Sequence, residues 1–439
     1  MFYLNKDAEL TTDLLHKMIE KHHTELKPRL KKYKNYYDGL QDILKKQYAD
    51  PTKPCSRTVI NFAKNISDSY CGYIATPSYI SYSSEQNIED IMDILRYNDY
   101  QTQDADFLLD ALVYGIACEL MFLDAEGQTR FKLINPASCF GVYDDSLTGD
   151  LMYFVRFYRA DEWDNTDLHK VDVYGASSVK HYTMNGFNGL LTFIDEEPHY
   201  FNQCPANIFT LADEKSIFDC VLGLQDAYNE LVSAEIDDFT AFCDAYLTLV
   251  GVDAETDDIT AMKENRVLLL PDGATADWLT KNANDTQIEN ILKRIHEAIY
   301  RIAQCPDFSS ESFVGGVSSG IAIRYRLTGM ETRAGKIEAS MKKALQRRIE
   351  IICGMASLRM GEEVFRDIQI DFKRNIPEDL TATIATINAL KGTVSDATLL
   401  GLLPFVEDVN AELDAVKKQN EANMALYGFG GDTEDAEEE

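Results

Sequence analysis

Residues 306–320 read "PDFSSESFVGGVSSG" and separate two stretches that both carry the residue pattern of a helix. Connections between packed helices usually span only a few residues, and a longer one without turn chemistry of its own is more often functional than incidental. This loop also leads directly into the most basic helical pattern of the chain. Its flanking stretches therefore indicate how the fold is organised.

The helical pattern before the loop starts at "TQIE", where Thr286 and Glu289 have the spacing of a capping box. A single apolar stripe follows, made of Ile288, Ile291, Ile295, Ala298 and Ile302. The pattern stops at Cys305, because the residue before a proline, here Pro306, is disfavoured in helical dihedrals.

The stretch after the loop, residues 320–358, has the longest helical pattern in the protein. Its apolar positions recur every three or four residues along one face, at Leu327, Met330, Ala334, Ile337, Met341, Leu345, Ile349 and Ile352. Basic residues surround this stripe, at Arg324, Arg326, Arg333, Lys336, Lys342, Lys343, Arg347 and Arg348. Gly329 and Gly335 each cost about 1 kcal/mol relative to alanine, and they predict a bend.

A helical stretch and a small β segment lie upstream of these two helices. Residues 214–246 have helical spacing and an acidic face, and no Lys or Arg occurs from 216 to 262. The apolar positions of this stretch are Val221, Leu224, Tyr228 and Leu231, then after a phase step Val232, Ile236, Phe239, Cys243 and Tyr246. Residues 247–284 contain short strand patterns around a Pro-Asp-Gly turn.

The other segments also divide into helices and strands, so the predicted fold class is α+β, mostly helical. Helical patterns cover 11–48, 59–74, 87–97, 100–117, 378–391, 404–426 and a short piece within 394–403. Strand patterns cover 78–83 and 367–375. Residues 118–210 alternate in short segments between turn residues, which predicts an antiparallel β unit. Residues 428–439 form an acidic tail that we expect to be disordered.

The composition is that of an ordinary globular protein in every respect except charge. The 439 residues are 45% hydrophobic and 26% charged, and the formal net charge is −31. A chain this acidic repels phosphates, which disfavours a DNA-wrapping role, although plain solvation of the surface is the more common reason for such acidity. The most apolar window, 105–123, carries three acidic residues, so we expect no membrane span.

Nothing in the sequence predicts an active site, a metal or a cofactor. Nine cysteines are scattered without a C-x-x-C pair or a metal-ligand spacing with histidine, which favours free thiols in a reducing cytoplasm. No signal-peptide pattern opens the chain. "GGVSSG" is rich in glycine, but it is followed by no lysine and preceded by no strand, so a phosphate-binding loop is not expected. Adjacent acids such as Asp237 and Asp238 point apart on a helix and are more often solvated than catalytic.

The order of these parts, together with scattered residues, carries a resemblance over roughly residues 30–425. The residues near the N-terminus are Tyr37, Gly39, Pro54, Asn61, Gly72, Tyr73, Pro77 and Tyr82. The segment "VSDATLLGLLPFVEDVNAELDAVKKQNE", residues 394–421, contributes at the other end. The chain resembles bacteriophage portal proteins, the head–tail connectors, of the type found in long-tailed phages of Gram-positive bacteria.

The resemblance implies a portal fold in a ring of subunits, typically twelve, at one capsid vertex. The implied parts are an N-terminal helical and β wing at 1–213, stem helices at 214–246 and 285–305, a clip at 247–284, a tunnel loop at 306–319, a long bent helix with its returning wing strand at 320–375, a crown at 376–427 and a tail at 428–439. The protein would be a conduit for genome packaging and ejection and would not be an enzyme.

The resemblance also implies which residues carry the function. The tunnel loop would place Ser309, Ser310, Ser312, Phe313, Val314, Gly315, Gly316, Ser318 and Ser319 in the DNA channel. Its glycines give the backbone freedom to bend as DNA slides past, and Phe313 and Val314 are its bulky members. Arg324 and Arg326 would be the basic residues nearest to DNA, unless the basic helix instead neutralises acid on a neighbouring subunit. The clip would dock the packaging motor and adaptor through Asp253, Glu255, Asp257, Asp258, Lys263 and Asp272.

Charge and partners follow from the same resemblance. A strongly acidic ring would repel DNA and bind it only weakly, and the helix at 214–246 would add to a negative channel wall unless its acid faces outward. The implied partners are other copies of the chain, double-stranded DNA, the terminase large subunit, major capsid and scaffolding proteins, and a head-completion or adaptor protein. The protein would reside in the virion, and in the host cytoplasm during assembly. A DNA-processing enzyme and a helical scaffold or adaptor protein are the alternatives.

Overall fold

Helices and strands follow one another along the chain in the mixed order of an α+β protein. The helices are α1 Thr12–Lys21, α2 Lys27–Tyr37, α3 Phe62–Ile74, α4 Glu89–Tyr97, α5 Tyr100–Tyr114, α6 Leu222–Phe242, α7 Asp285–Ala303, α8 Gly320–Cys353, α9 Leu380–Leu390, α10 Asp396–Leu400 and α11 Val409–Tyr427. The strands are β1 Phe2–Leu4, β2 Ile80–Ser83, β3 Ile116–Leu123, β4 Thr129–Ile134, β5 Cys139–Asp144, β6 Leu151–Arg159, β7 Leu168–Tyr174, β8 Ser178–Asn185, β9 Thr192–Pro198, β10 Ala206–Thr210, β11 Tyr246–Val250, β12 Thr275–Leu279 and β13 Gln369–Phe372.

The structure is a computed structural model. It describes residues 2–51, 53–75, 80–160, 167–242, 246–250, 273–279, 285–309, 320–355, 364–374, 380–403, 406 and 409–427. The chain forms two compact units. The first contains Met1–Gly316 and Arg326–Asn375, and the second contains Val317–Tyr325 and Ile376–Glu439.

The β unit predicted for residues 118–210 is confirmed, and it divides into two sheets. One sheet has the order β1-β5-β6-β7-β8-β9 and the other β10-β3-β4. All strand pairs within 118–210 are antiparallel. The parallel pairing of β1 with β5 was not predicted, because its cause is distant in sequence: Phe2 lies opposite Val142 and packs on Phe140, with ring centroids 4.7 Å apart.

One face of the larger sheet forms a core with α1. Alternate residues of β5, β6, β7 and β8 point to this face, as the two-residue period of a strand requires, and they include Phe140, Val142, Val155, Phe157, Val171, Val173, Tyr182 and Met184. They pack against Leu15, Met18 and Ile19 of α1, whose i, i+3, i+4 spacing places them on one face of the helix. Burial of these apolar side chains is what holds the sheet to the helix.

The single helix predicted over residues 11–48 is wrong, because the structure interrupts it twice. A π-helical turn, His22–Leu26, separates α1 from α2 and turns His22 into the core, where its Nε2 lies 3.0 Å from the carbonyl oxygen of Pro136. Helix α2 then ends at Tyr37, and Gly39 adopts a φ of +82° that only glycine takes readily. Only a short 3-10 turn, Asp42–Lys45, follows.

Helix α5 ends three residues earlier than the prediction of 117, and a glycine fixes the end. Gly115 has a φ of +80°, and a Cβ on it would lie 2.5 Å from the backbone nitrogen of Lys215. No other residue fits there without moving the backbone. The chain turns at this point from α5 directly into β3, the central strand of the smaller sheet.

Helix α8 runs without interruption from Gly320 to Cys353, so the helix predicted for 320–358 is confirmed up to Cys353, and residues 356–363 lie outside the described part of the chain. Its predicted apolar row is buried, with Met330, Ala334, Met341 and Leu345 all 1% exposed or less. The bend at Gly329 and Gly335 stays a prediction.

Arg348 joins α8 to the rest of the first unit through a buried ionic cluster. Its guanidinium donates through Nη1 to Asp104 of α5 and through Nε to Glu119 of β3, the latter at 2.8 Å. All three side chains are at most 1% exposed, and Tyr82 of β2 donates its hydroxyl to Asp104 at 2.9 Å. Two buried carboxylates thus depend on one cation, an arrangement whose free energy is sensitive to the loss of any member.

The C-terminal predictions are also confirmed in type. Strand β13 pairs antiparallel with β2 inside the predicted range 367–375. Helices α9, α10 and α11 correspond to the three predicted helices, and Ser395 caps α10 by accepting from the backbone nitrogen of Thr398 at 3.4 Å. Residues 428–439 lie outside the described residues.

Candidate functional site

The chain enters the 306–320 loop from a rigid anchor at the end of α7. The hydroxyl of Tyr70 donates to the backbone oxygens of Ala303 and Gln304, both at 3.0 Å. Arg333 of α8 donates to Ala303 at 2.8 Å and to the backbone oxygen of Ile217 at 2.8 Å. Since the last carbonyls of a helix lack partners within it and carry partial negative charge, these two side chains stabilise the helix end.

This anchor ties four parts of the first unit together. Tyr70 comes from α3, Arg333 from α8, Ala303 from α7, and Ile217 from the segment that precedes α6. Tyr70 is fully buried, and this burial raises the pKa of its phenol, so the hydroxyl remains a donor at any physiological pH. The start of the loop therefore cannot shift without breaking contacts in several elements.

The first residues of the loop form a turn beside a cavity. Asp307 accepts from the backbone nitrogen of Ser309 at 3.0 Å and from its hydroxyl at 2.6 Å. His296 lies 3.9 Å from the other oxygen of Asp307. A cavity of about 650 Å³ opens here between α7 and α8, with Arg301 and Arg326 in its lining.

The structure describes only part of the predicted channel residues. Ser309 is exposed and donates its backbone nitrogen and its hydroxyl to the Asp307 carboxylate that closes the turn. The others lie outside the described residues: Ser310, Ser312, Phe313, Val314, Gly315, Gly316, Ser318 and Ser319. Arg324 lies on the first turns of α8, and Arg326 is exposed and lines the 650 Å³ cavity. Arg326 and Asp307, the residue to which Ser309 donates, therefore line the same cavity at the loop's base.

The predicted clip, residues 247–284, contains strands where the structure describes it. Strands β11 and β12 form an antiparallel pair, with Tyr246 opposite Leu279 and Val250 opposite Thr275. The docking residues predicted within it all lie outside the described residues: Asp253, Glu255, Asp257, Asp258, Lys263 and Asp272.

The apolar stripe predicted for 214–246 does not form the buried face of α6. The buried face is polar instead, and its members at successive four-residue steps are Gln225, Asn229, Ser233 and Asp237. Ile236 and Phe239 of the predicted stripe are 40% and 72% exposed, and Tyr246 lies in β11. The helix also begins at Leu222 and ends at Phe242, within the predicted range.

The reason is an extended segment, residues 56–61, that lies along α6 and leads into α3. Its backbone nitrogens at Ser56, Thr58 and Ile60 donate to Asp237, Ser233 and Asn229, and the nitrogen of Ala63 in the first turn of α3 donates to Gln225, at 2.5 to 3.0 Å. Two residues of extended chain and four residues of helix span nearly the same distance, about 6 to 7 Å, so the two repeats stay in register. Each polar side chain satisfies a backbone group that burial would otherwise leave unpaired.

Most acidic side chains of α6 contact polar or basic groups of the same chain. Asp226 accepts from the hydroxyl of Tyr36 at 2.7 Å, and Lys46 lies 3.1 Å from Glu230 and 3.5 Å from Asp237. Burial opposes ionisation of Asp237, but the hydrogen bonds from Ser56 and the charge of Lys46 lower its pKa overall. These acids face the N-terminal segment of their own chain.

Sequence reasoning missed the anchor residues Tyr70 and Arg333 and the polar row of α6. A signal for the row was present, since Gln225, Asn229, Ser233 and Asp237 repeat at one helical step. Nothing local marks the anchor, because Tyr70 is 233 residues from Ala303 and Arg333 is 116 residues from Ile217 along the chain. In the described ranges no three His, Cys, Asp or Glu side chains are placed to hold a metal ion. Nor does any helix there have the length and apolarity needed to cross a bilayer.

Comparison with known proteins identifies the family. The model of the family "Phage portal protein, SPP1 Gp6-like" matches residues 16–425, which is nearly the whole chain. This chain belongs to the phage portal proteins. It is similar to the portal protein of Bacillus phage SPP1, at 24% identity over 474 residues that cover 98% of this chain and 92% of that protein.

The predicted resemblance to portal proteins of Gram-positive phages is thereby confirmed. The portal family is a structural one, a part of the phage head–tail connector, and its members form oligomeric rings at the capsid vertex. Neither alternative, a DNA-processing enzyme or a scaffold of another kind, is supported by these matches.

Proposed function

We propose that this portal protein forms a closed ring of twelve subunits through which double-stranded DNA enters the capsid during packaging and leaves it during ejection. The observation that carries the proposal is the rigid anchor at the loop's base, considered together with the family. Tyr70 and Arg333 fix the end of α7, while the glycine-rich sequence that follows permits bending. A fixed base with a pliant tip suits a loop that must follow a moving duplex.

In this proposal each part of the chain has one task. Residues 1–213 and 320–375 form the wing and long helix, and 214–246 with 285–305 form the stem around the channel. Residues 247–284 form the clip, which docks the terminase large subunit during packaging and the head-completion or adaptor protein afterwards. Residues 376–427 form the crown inside the head, and major capsid and scaffolding proteins surround the ring. Assembly takes place in the host cytoplasm.

The charge of the chain suits a conduit that does not hold its cargo. Each subunit contributes a net charge of −31, so a ring of many copies repels the phosphate backbone. Tight phosphate contacts would stop the DNA, and the proposal therefore requires weak, non-specific binding. We expect duplex DNA to bind the purified ring with a Kd no tighter than micromolar at physiological salt, and a nanomolar Kd would contradict this part of the proposal.

The loop is tested by deleting residues 309–315. Rings and procapsids should assemble normally, because the anchor and the helices remain, while the amount of packaged DNA should fall. A matched control replaces the same residues with an equal number of glycines and serines, and it should restore packaging, since length and flexibility are kept. Normal packaging by the deletion variant would refute the role of the loop, and purified protein that stays monomeric in electron microscopy at micromolar concentration would refute the ring.

A further inference from the structure

A continuous groove runs along one side of α8 in the first unit. It consists of three adjoining cavities of about 650, 690 and 820 Å³. Gln304 lines both the first and the second cavity, and Ser340 lines both the second and the third. The groove extends from Arg326 to Glu350, and at 1.5 Å per helical residue it is about 36 Å long.

One wall of the groove is a regular basic face of α8. The residues that line it step by three and four along the helix, at Arg326, Gly329, Arg333, Lys336, Ser340, Lys343 and Arg347. Such spacing keeps all of them on one helix face. This face lies beside the buried apolar row of α8, so the helix is held by one side and presents the other to the groove.

Two lysines of this face, Lys336 and Lys343, make no side-chain ion pair within the part of the chain that the structure describes. Arg333 is occupied by backbone oxygens, and Arg347 donates to Gln203 at 2.7 Å and to Glu350 at 2.8 Å. Lys336 and Lys343 are exposed, and neither has a carboxylate partner among the described residues. They lie seven residues apart, which places two unneutralised positive charges about 10 Å from each other along the groove.

The opposite wall carries mainly charge of the other sign. Its carboxylates are Asp150, Asp213, Asp219, Glu297 and Asp307, while Arg301 and Lys215 also line it and Lys215 lies 3.6 Å from Asp219. The charged groups of duplex DNA are all negative phosphates, and these carboxylates would repel them. A protein surface carries both signs and can match both walls, so the groove favours a protein partner over nucleic acid.

We propose that the groove receives a second copy of this chain, with acidic side chains of that copy against Lys336 and Lys343. Charge complementarity supports this occupant, because 73 acidic residues face only 42 basic ones in each copy. The inference rests on the proposed ring. In a ring every subunit offers one surface to the copy on its left and a different surface to the copy on its right. Each interface therefore needs the groove of only one of the two subunits that meet there.

The test reverses the two charges with the double variant Lys336→Glu and Lys343→Glu. Both side chains are exposed and pair with no carboxylate of the described ranges, so the subunit should keep its circular dichroism spectrum and its thermal midpoint. Ring formation, measured by mass photometry and electron microscopy, should need a subunit concentration at least roughly tenfold higher than in the wild type, because repulsion replaces attraction at every interface. Raising the salt concentration should narrow the difference between the two proteins.

The matched control is Lys170→Glu with Lys180→Glu, which makes the same charge change at exposed lysines of β7 and β8. It should assemble as the wild type does. Wild-type assembly by the groove variant would overturn the inference and leave the proposed ring intact, whereas a wild type that never forms rings would refute the ring itself. Normal rings that have lost duplex DNA binding, or the incorporation of a scaffolding or head-completion protein, would assign the groove to that partner and also overturn the inference.

Discussion

Replacing Arg348 with methionine removes the cation that two buried carboxylates share. Methionine fills a similar volume, so the change leaves Asp104 and Glu119 in place without their ionic partner. Removing one member of a buried pair typically costs about 3 to 5 kcal/mol, because the remaining charge is neither solvated nor neutralised. The protein can limit this cost only by protonating a carboxylate.

That limit sets the expected magnitude and its pH dependence. Burial already raises the pKa of Asp104 above 3.8, while the charge of Arg348 opposes the rise, so losing Arg348 raises this pKa further. Protonating an aspartate whose unfolded pKa is 3.8 costs about 1.36 kcal/mol for each pH unit above that value. The expected loss of unfolding free energy is therefore about 4 kcal/mol at pH 7 and about 2 kcal/mol at pH 5. The sign follows because the folded variant binds more protons than the unfolded chain, so its stability falls as the pH rises through this window.

Urea unfolding followed by circular dichroism at pH 5 and pH 7 measures both values. Arg347→Met is the matched control, since its partly exposed pair with Glu350 should contribute less than about 1 kcal/mol. The triple variant Asp104→Asn, Glu119→Gln and Arg348→Met should recover most of the loss, because no uncompensated charge remains. A loss below about 1 kcal/mol at pH 7, or a loss that grows toward pH 5, would refute the reasoning.

Two further predictions concern stability. Gly115→Ala should lower the unfolding free energy by at least about 2 kcal/mol, since a Cβ there meets the backbone of Lys215 at a positive φ. Gly127→Ala is the control, because Gly127 also has a positive φ but open space around it, and it should cost less. Equal losses in urea titrations of the two variants would contradict the steric argument. Burial lowers the pKa of His22 to about 4, so the unfolded chain binds a proton first and stability should fall by about 3 kcal/mol as the pH drops from about 6.5 to 4. His22→Gln should flatten that part of the pH profile, and an unchanged slope would rule His22 out as its source.

Local patterns predicted the helices and strands correctly where the pattern itself decides the structure. The three- and four-residue steps of α8 placed its buried row, and alternation placed the antiparallel strands of 118–210. The same reasoning was wrong for α6, since apolar spacing predicted a buried stripe where Gln225 and Asn229 are buried instead. Hydrophobicity alone cannot anticipate that an extended segment nearly 170 residues earlier supplies backbone donors to that face.

The sequence by itself determined the type and order of the elements, the acidity, and the resemblance to portal proteins, because periodicity, composition and motif order are properties of neighbouring residues. Only the tertiary structure decided which side chains became partners. Tyr70 and Arg333 meet at the end of α7, Arg348 meets Asp104 and Glu119, and the basic face of α8 lines a groove. The physical reason is that each of these contacts joins residues distant in sequence, and its free energy depends on burial and geometry that arise only when the chain has folded.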